Sequence, residues 1–381
     1  MYTPPLSLYI HIPWCVQKCP YCDFNSHGVK QPIPEAQYID HLMRDLAIEA
    51  ERVGDREVET IFFGGGTPSL FSTEGIARIL EGVKKRVNLS KNAEITLEAN
   101  PGTVEAGRFA GFKQAGINRI SVGVQSFHTD HLTILGRIHD NQQAISAIEQ
   151  AGRVGLNSFN IDLMHGLPKQ NTHLAVDDLK QAIALNAPHI SWYQLTIEPN
   201  TLFHSQPPVL PKDEMLWEIQ EVGQAILERA GYHQYEVSGY SKPGHQCRHN
   251  LNYWRFGDYI GIGCGAHGKI SHPEDNRIER RVKIKHPKGY MNDDGVYLHQ
   301  QWNIEQEDLP FEFFMNHFRL FEPCPKSRLT AFTGLSASTP VIHEGLSKAL
   351  DNGWLVETPS EWITTELGKR FLNELLTLFL D

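Results

Sequence analysis

Three cysteine residues stand close together in the stretch HIPWCVQKCPYCDFNSHGV, and no fourth cysteine follows them directly. Three residues separate Cys15 from Cys19, and two separate Cys19 from Cys22. A structural zinc ion normally has four protein ligands, so zinc would need a further donor such as His11 or His27. An iron–sulfur cubane held by three cysteines keeps one iron open for another molecule. We favour the cubane over zinc and over a metal-free loop.

Further polar residues interrupt or end apolar stretches later in the chain. FFGGGTPS (62–69) holds three glycines, which let the backbone approach a ligand closely, but it lacks the lysine of a phosphate-binding loop. Glu98, Gln125 and Asp162 stand in apolar surroundings, where a polar side chain is costly unless it is satisfied. Arg137 is suited to pair with the carboxylate of a ligand. The alternative is that it is an ordinary surface arginine.

The elements that must position these residues alternate regularly. Apolar strand-like runs occur at 8–12, 60–65, 94–100, 119–125, 159–166 and 190–197, and helical patterns occur near 35–53, 73–87, 103–115, 140–154, 173–186 and 211–230. This alternation predicts an α/β fold with a parallel sheet, in the form of a partial (β/α)6 TIM-like barrel. Since reactive groups of such barrels lie at the carboxyl ends of the strands, the polar residues should face one mouth.

The cysteine motif carries a resemblance to a known superfamily. C-x3-C-x2-C with an aromatic residue close behind it, directly after the first strand, resembles the signature of the radical S-adenosylmethionine (SAM) superfamily. In that superfamily SAM binds the open iron of a 4Fe-4S cluster and is cleaved to a radical when the cluster is reduced. The partial barrel inferred above is the fold that this resemblance implies.

A narrower resemblance covers nearly the whole chain. LYIHIPWC, FFGGGTPS, LEANPG, GVQSF, LGRIH and DLMHGLP are similar to segments of the coproporphyrinogen III oxidase-like (HemN-related) family. The resemblance implies a 4Fe-4S cluster on Cys15, Cys19 and Cys22, with SAM as its exchangeable ligand. It implies SAM binding by Tyr9, Gly65, Gly66, Thr67, Glu98, Gln125, Arg137 and Asp162.

Two functions compete within that family. The oxidases carry an additional cysteine where this chain has Phe24, and a longer segment before the cluster motif, whereas only fourteen residues precede Cys15 here. HNLNYW (249–254) matches the H-N-x-x-Y-W marker of the heme chaperone subgroup, HemW. This resemblance implies His249 as a ligand of heme iron, with Tyr253 and Trp254 packed on the porphyrin. A core hydrogen bond is the alternative role for His249.

We therefore expect a radical SAM family heme chaperone rather than a coproporphyrinogen oxidase. It would bind heme and a 4Fe-4S cluster with SAM, and transfer heme to acceptor proteins. The alternative is an oxygen-independent coproporphyrinogen III oxidase-like enzyme of porphyrin biosynthesis. The resemblance suggests respiratory enzymes as acceptors and a homodimer, and it is compatible with peripheral contact to a membrane.

Secondary candidates for the heme site lie after residue 232. Cys264 and His267 in GIGCGAHG are further ligand candidates. RIERRVKIK (277–285) carries Arg280, Arg281, Lys283 and Lys285, which either meet heme propionates or form a solvated basic strand.

Composition and pattern set the remaining expectations. The 381 residues carry a net charge of −10, show no signal peptide and contain no stretch of about 18 apolar residues, which predicts a cytoplasmic protein without a transmembrane segment. We expect a radical SAM core at 1–232, an irregular heme- or substrate-facing extension at 233–305 and a small C-terminal winged-helix-like domain at 306–381. Residues 308–381 hold ten acidic and six basic side chains, which argues against nucleic acid as a partner.

Overall fold

The computed structural model describes residues 1–103 and 108–380. Its central feature is a run of six parallel strands, each hydrogen-bonded to the next along the chain. These strands are β1 (Leu6–Ile12), β2 (Glu57–Gly65), β3 (Asn88–Ala99), β4 (Arg119–Gln125), β5 (Ser158–His165) and β6 (His189–Gln194). Each overlaps a predicted strand, so the partial (β/α)6 barrel is confirmed.

Helices lie between the parallel strands and follow the last of them. They are α1 (Glu35–Val53), α2 (Thr73–Lys84), α3 (Arg108–Ala115), α4 (Thr129–Ile134), α5 (Asn141–Arg153), α6 (Thr172–Ala184), α7 (Leu202–Ser205) and α8 (Asp213–Arg229), with 3-10 turns at Pro68–Leu70 and Pro101–Thr103. Side-chain oxygens of Ser72, Asp140 and Asn171 accept hydrogen bonds from the first turns of α2, α5 and α6. The predicted helix over 103–115 is seen from Arg108, while residues 104–107 lie outside the described part.

The segment predicted as irregular, 233–305, has regular structure. It contains β7 (His233–Gln234), β8 (Gly239–Ser241), α9 (Arg248–Trp254), β9 (Asp258–Ile262), β10 (His267–His272), β11 (Arg277–Lys283), α10 (Pro287–Tyr290) and β12 (Leu298–Asn303). Its strands are short and separated by glycine-rich turns, so no alternation of apolar and polar residues is evident in the sequence. The division of the chain into domains stays a prediction.

These strands extend both ends of the barrel sheet. β9 pairs in parallel with β1, and β10 to β12 continue antiparallel from it. β8 and β7 add antiparallel strands beyond β6. Within the described residues, the sheet therefore contains twelve strands.

The basic strand β11 is not a solvated one. Arg281 and Lys283 are 7% and 2% exposed. Lys283 forms ion pairs with Asp45 and Glu49 of α1, and Arg281 pairs with Glu49. The carboxylates of α1 supply the charge that makes burial of these cations tolerable.

The C-terminal part has its own apolar core. It comprises α11 (Leu309–His317), β13 (Cys324–Pro325), α12 (Lys326–Thr333), α13 (Pro340–Asp351), β14 (Leu355–Glu357), β15 (Glu361–Thr364), α14 (Glu366–Arg370) and α15 (Leu372–Thr377). Phe313, Phe314, Trp362 and Phe379 are almost fully buried together. Helices beside a three-stranded antiparallel sheet agree with the predicted winged-helix-like arrangement. No helix among the described residues combines the length and the apolar character that spanning a bilayer requires.

Candidate functional site

The three clustered cysteines lie in a loop that begins where β1 ends. Trp14–Cys15 and His27–Gly28 form a short parallel strand pair that closes the loop on itself. Cys15, Cys19 and Cys22 are partly buried, are not disulfide-bonded, and line one cavity of about 410 Å³. Among residues 1–103 and 108–380, no three His, Cys, Asp or Glu side chains are grouped so as to hold a single metal ion. A cubane differs in this respect, because its cysteines bind different iron atoms.

His11, a candidate zinc donor, is already engaged. Its Nδ1 lies 3.0 Å from the Tyr9 hydroxyl, and its Nε2 lies 2.8 Å from the backbone oxygen of Asn25. Burial lowers the pKa of His11 to about 4, so its ring is neutral. His27 lines a neighbouring cavity rather than the one that holds the cysteines.

The glycine-rich segment after β2 packs directly against the cysteine loop. A Cβ atom on Gly66 would lie 2.5 Å from the backbone oxygen of Trp14, and Gly65 has a φ of +116°. The Gly66 amide donates to Ile12, and the Thr67 amide donates to Trp14, each at 2.7 Å. Glycine is thus required for this close approach, which brings Gly65, Gly66 and Thr67 to the wall of the cysteine cavity.

Glu98 and Asp162 place two partly buried carboxyl groups at the same cavity. Burial, followed by the nearby charge of Asp162, raises the pKa of Glu98 to about 8. The Gly65 amide donates to Glu98 Oε2 at 3.2 Å. Asp162 accepts hydrogen bonds from Ser121 Oγ and Asn160 Nδ2, at 3.0 and 2.7 Å, while burial raises its pKa. Glu98 has less hydrogen-bonding support than Asp162, which suits it to a cationic ligand.

Gln125 and Arg137 complete the polar wall of this cavity. Gln125 has a φ of +68°, unusual for a non-glycine residue, and its Oε1 accepts a 2.7 Å hydrogen bond from the Tyr193 hydroxyl. Arg137 Nη2 donates to the Gly123 oxygen at 2.7 Å, and Nη1 donates to Cys19 Sγ at 3.5 Å. Arg137 Nε is buried with no hydrogen-bond partner among the described residues. Arg137 is therefore not an ordinary surface arginine.

A second, larger cavity of about 940 Å³ adjoins the cysteine cavity. Its volume lies near the upper end of the roughly 300–1,000 Å³ typical of small-molecule pockets. Both cavities share Asp23, Phe24, Ser26, Gly65, Glu98, Ser121 and Asp162. Aromatic and cationic side chains contribute to the larger one, among them Tyr9, Phe62, Tyr253, Trp254, Tyr259, Lys18, Arg280 and Lys285. Tyr9, predicted to bind SAM, lines only this larger cavity.

His249 lies beneath the larger cavity rather than on its wall. The side chain is 1% exposed. Its Nδ1 is 2.8 Å from Thr60 Oγ1, and its Nε2 is 2.9 Å from the Tyr253 hydroxyl. Burial lowers the pKa of His249 to about 3. In this conformation neither ring nitrogen is free to bind iron, so the ligand role of His249 stays a prediction.

The other candidate heme ligands, Cys264 and His267, differ in their exposure. Cys264 is buried, and burial raises the pKa of its thiol to about 12. His267 is exposed and lines the larger cavity, as do Arg280 and Lys285.

Comparison with known proteins agrees with this geometry. Residues 9–182 match the Radical SAM superfamily. The heme chaperone HemW of Escherichia coli (strain K12) is 59% identical over 377 residues, which cover 99% of this chain and 98% of that protein. HemW of Haemophilus influenzae is 58% identical over 381 residues, with 99% and 98% covered. The chain belongs to the HemW family.

A solved structure shows that the HemW family fold extends to an enzyme. The coproporphyrinogen III oxidase (HemN) of Escherichia coli, a radical SAM enzyme, superimposes with a TM-score of 0.84 at 23% identity, covering 99% of this chain and 90% of that one. At this identity the likeness concerns the fold alone. The Radical SAM domain implies a 4Fe-4S cluster and SAM. Three thiols, a partly buried carboxyl group and an Arg137 Nε without a partner among the described residues meet at one cavity, and they fit both groups.

Proposed function

We propose that the chain is a heme chaperone that binds heme together with a 4Fe-4S cluster and SAM, and transfers heme to acceptor proteins. The observation that supports this most is the 59% identity to the heme chaperone HemW across essentially the whole of both chains. A cavity of about 940 Å³ beside the cysteine cavity offers room for a porphyrin-sized ligand.

In this proposal the smaller cavity holds the cluster and SAM. Cys15, Cys19 and Cys22 bind three irons, and the fourth iron is left to SAM. The cluster supplies one-electron chemistry when bound. The chain's own residues bind and orient the small molecule.

Each remaining residue of the smaller cavity has a proposed contact with SAM. Glu98 and the backbone of Gly65, Gly66 and Thr67 receive the amino group, and Arg137 pairs with the carboxylate. Gln125 and Asp162 accept hydrogen bonds from ribose hydroxyls. Tyr9, on the wall of the larger cavity, contacts SAM from that side.

Heme occupies the larger cavity in this proposal. Tyr253 and Trp254 offer aromatic faces to a porphyrin, and Lys18 and Lys285 offer charge to propionate groups. His249 remains the ligand that the family motif predicts, but it would first have to release Thr60 or Tyr253.

A coproporphyrinogen III oxidase-like activity is the second candidate. The shared fold with HemN favours it, since the same cavities are available for a porphyrinogen. Phe24, which stands where the oxidases carry another cysteine, lies at the junction of the cavities and is 58% exposed. We place the chain in the cytoplasm, as a homodimer in peripheral contact with membranes, with respiratory enzymes as acceptors.

Anaerobic purification with a reconstituted cluster allows both candidates to be tested. Hemin titration should give a saturable Soret band, and addition of an apo-hemoprotein should move the heme to it. Coproporphyrinogen III should be returned unchanged in the presence of SAM and a reductant. Turnover of coproporphyrinogen III, or a failure to bind hemin, would overturn the chaperone proposal.

A further inference from the structure

Arg119, the first residue of β4, is a buried cation on the wall of the larger cavity. The residue is 3% exposed, and its Nε is buried without a hydrogen-bond partner among the described residues. Glu94 and Asp162 act on its charge through space, but within the described chain neither forms an ion pair with it. A buried charge is costly unless another group pairs with it. The guanidinium of Arg119 therefore has capacity for an anion that the described chain does not supply.

The two carboxylates nearest in electrostatic effect are engaged by other donors. Glu94 accepts hydrogen bonds from two backbone amides in the first turn of α9, at 3.1 and 3.2 Å. Asp162 accepts hydrogen bonds from the side chains of Ser121 and Asn160, at 3.0 and 2.7 Å. These uncharged donors hold both carboxylates in place, so neither is spare to form an ion pair with Arg119.

A second unsatisfied polar group lies beside Arg119. Thr96 of β3 stands opposite Arg119 in the parallel pair, as Glu98 stands opposite Ser121 two residues further on. The Thr96 side chain is buried, and its Oγ1 has no hydrogen-bond partner among the described residues. Since buried polar groups are normally paired, two neighbouring exceptions indicate a place for a polar group from outside the chain. A hydroxyl donor next to a guanidinium suits a carboxylate.

The cations on the wall of the larger cavity differ in their partners. Lys269 and Arg280 form ion pairs with carboxylates of the chain. Lys18 and Lys285 are exposed to solvent. Among the lysines and arginines of this wall, and within the described residues, Arg119 alone is both buried and without an ion pair. A ligand carboxylate that enters the barrel would therefore meet an unpaired cation only at Arg119.

We propose that Arg119 binds a carboxylate of the ligand in the larger cavity, namely one propionate of heme, with Thr96 beside it. This inference rests on the proposed heme chaperone function and is independent of which residue ligates the iron. The guanidinium offers a carboxylate two parallel N–H donors. The other propionate is left to the exposed Lys18 and Lys285. Heme is thereby oriented with one propionate toward the interior of the barrel.

Esterification of the propionates separates a carboxylate contact from general damage to the cavity. The probes are hemin and hemin dimethyl ester, titrated into the full-length wild type and Arg119→Gln. Arg119→Gln should bind hemin about 10- to 100-fold more weakly, because hydrogen bonds between charged groups are the stronger ones. It should bind the diester no more weakly than the wild type does, because the wild type then sets a buried cation against a neutral group. The preference for hemin over its diester should thus shrink by at least about tenfold.

Two further variants complete the test. Arg119→Lys keeps the charge without the paired donors, so its preference for hemin should lie between those of the wild type and Arg119→Gln. It also serves as the second variant if Arg119→Gln folds poorly. Arg153→Gln is the control, because Arg153 is exposed on α5 and lines neither cavity, so both affinities should stay at wild-type values.

Three results would be decisive against these proposals. An unchanged preference for hemin in Arg119→Gln and Arg119→Lys, with both ligands weakened equally, would show a merely structural role and overturn the inference. The inference would also fail if phosphate raised the melting temperature of the wild type but not of Arg119→Gln while the preference for hemin stayed the same, because a small free anion would then occupy the site. Failure of the wild type to bind hemin would instead overturn the proposed function itself.

Discussion

The side-chain amide of Asn25 donates a hydrogen bond to the backbone oxygen of Cys264 at 3.0 Å, across 239 residues of sequence. The same amide donates to the Lys285 oxygen at 2.8 Å. Asn25 follows Cys22 by three residues, and Cys264 precedes His267 by three. One side chain thus ties the cysteine loop to the turn before β10, which borders the larger cavity, so the two loops should respond to each other.

Replacing Asn25 with aspartate should loosen that tie. Asn25→Asp keeps the size of the side chain but loses its N–H donor, and it sets a carboxylate against two carbonyl oxygens. We expect a loss of about 1–3 kcal/mol of local stability, visible as faster hydrogen exchange at residues 263–267. Asn352→Asp, at an exposed helix end, is the control. Unchanged exchange in Asn25→Asp would show that the tie contributes little.

Removal of any clustered cysteine should abolish cluster assembly. Cys15→Ala, Cys19→Ala and Cys22→Ala each remove one of three thiolate ligands, so iron and sulfide content after anaerobic reconstitution should fall close to background. Cys324→Ala is the matched control, since Cys324 is buried in the C-terminal core and lines neither cavity. Full iron content in any of the three variants would contradict the assignment.

Glu98 should make stability depend on pH. Its pKa is about 8 in the folded protein and near 4.5 ordinarily, so the folded state favours the neutral acid. The contribution of Glu98 to the free energy of unfolding is therefore fully present below about pH 4.5 and is lost as the pH rises to 8. Glutamine cannot ionise, so Glu98→Gln does not lose stability as the pH rises. Without ligand, its free energy of unfolding should exceed that of the wild type by on the order of 3 kcal/mol at pH 8 and by little at pH 5.

Thermal unfolding at pH 5 and pH 8, without SAM, measures this difference. Glu81→Gln, at an exposed position on α2, should show no gain at either pH. The same Glu98→Gln variant should bind SAM more weakly, which isothermal titration can measure. An equal shift in melting temperature at both pH values would argue against a neutral Glu98.

His249 should be a determinant of stability. His249→Ala takes the imidazole partner from the Tyr253 hydroxyl, leaves Thr60 Oγ1 with its hydrogen bond to Ser7 Oγ, and removes a ring packed 5.1 Å from that of Phe62. We expect a loss of about 2–5 kcal/mol in the free energy of unfolding, measured by urea denaturation. His204→Ala, at an exposed position, should change it little. A nearly neutral His249→Ala would speak against this supporting role.

The barrel and most of its site were accessible from the sequence because their signals are local. Apolar runs give the six strands, and polar residues within or near their carboxyl ends mark the cavity wall, as Asp162 and Glu98 do. Tyr193, whose hydroxyl donates to Gln125, is the last residue but one of the sixth strand and could have been found by this rule. Asn25 gave no such signal, because its partners are distant in sequence.

The fold of the chain after residue 232 was harder to predict, because its strands also have partners that are distant in sequence. β9 owes its place to pairing with β1, and nothing within DYIGI announces a parallel partner about 250 residues earlier. The histidine in HNLNYW also illustrates a limit of motifs. A motif shows that a residue matters, but whether His249 holds iron or holds Tyr253 depends on which way its ring faces.

The pairing of β1 with β9 also bears on how the chain is made. β1 is flanked by β2 and β9, so one of its edges stays open until residue 262 has left the ribosome. At roughly 5–20 residues per second, that delay lasts on the order of tens of seconds. The cysteine loop follows β1 directly, and its Asn25 anchor waits for residues 264 and 285. Cluster insertion should therefore be a late event in biogenesis, and a nascent chain with an exposed β1 edge should be a client for protective factors.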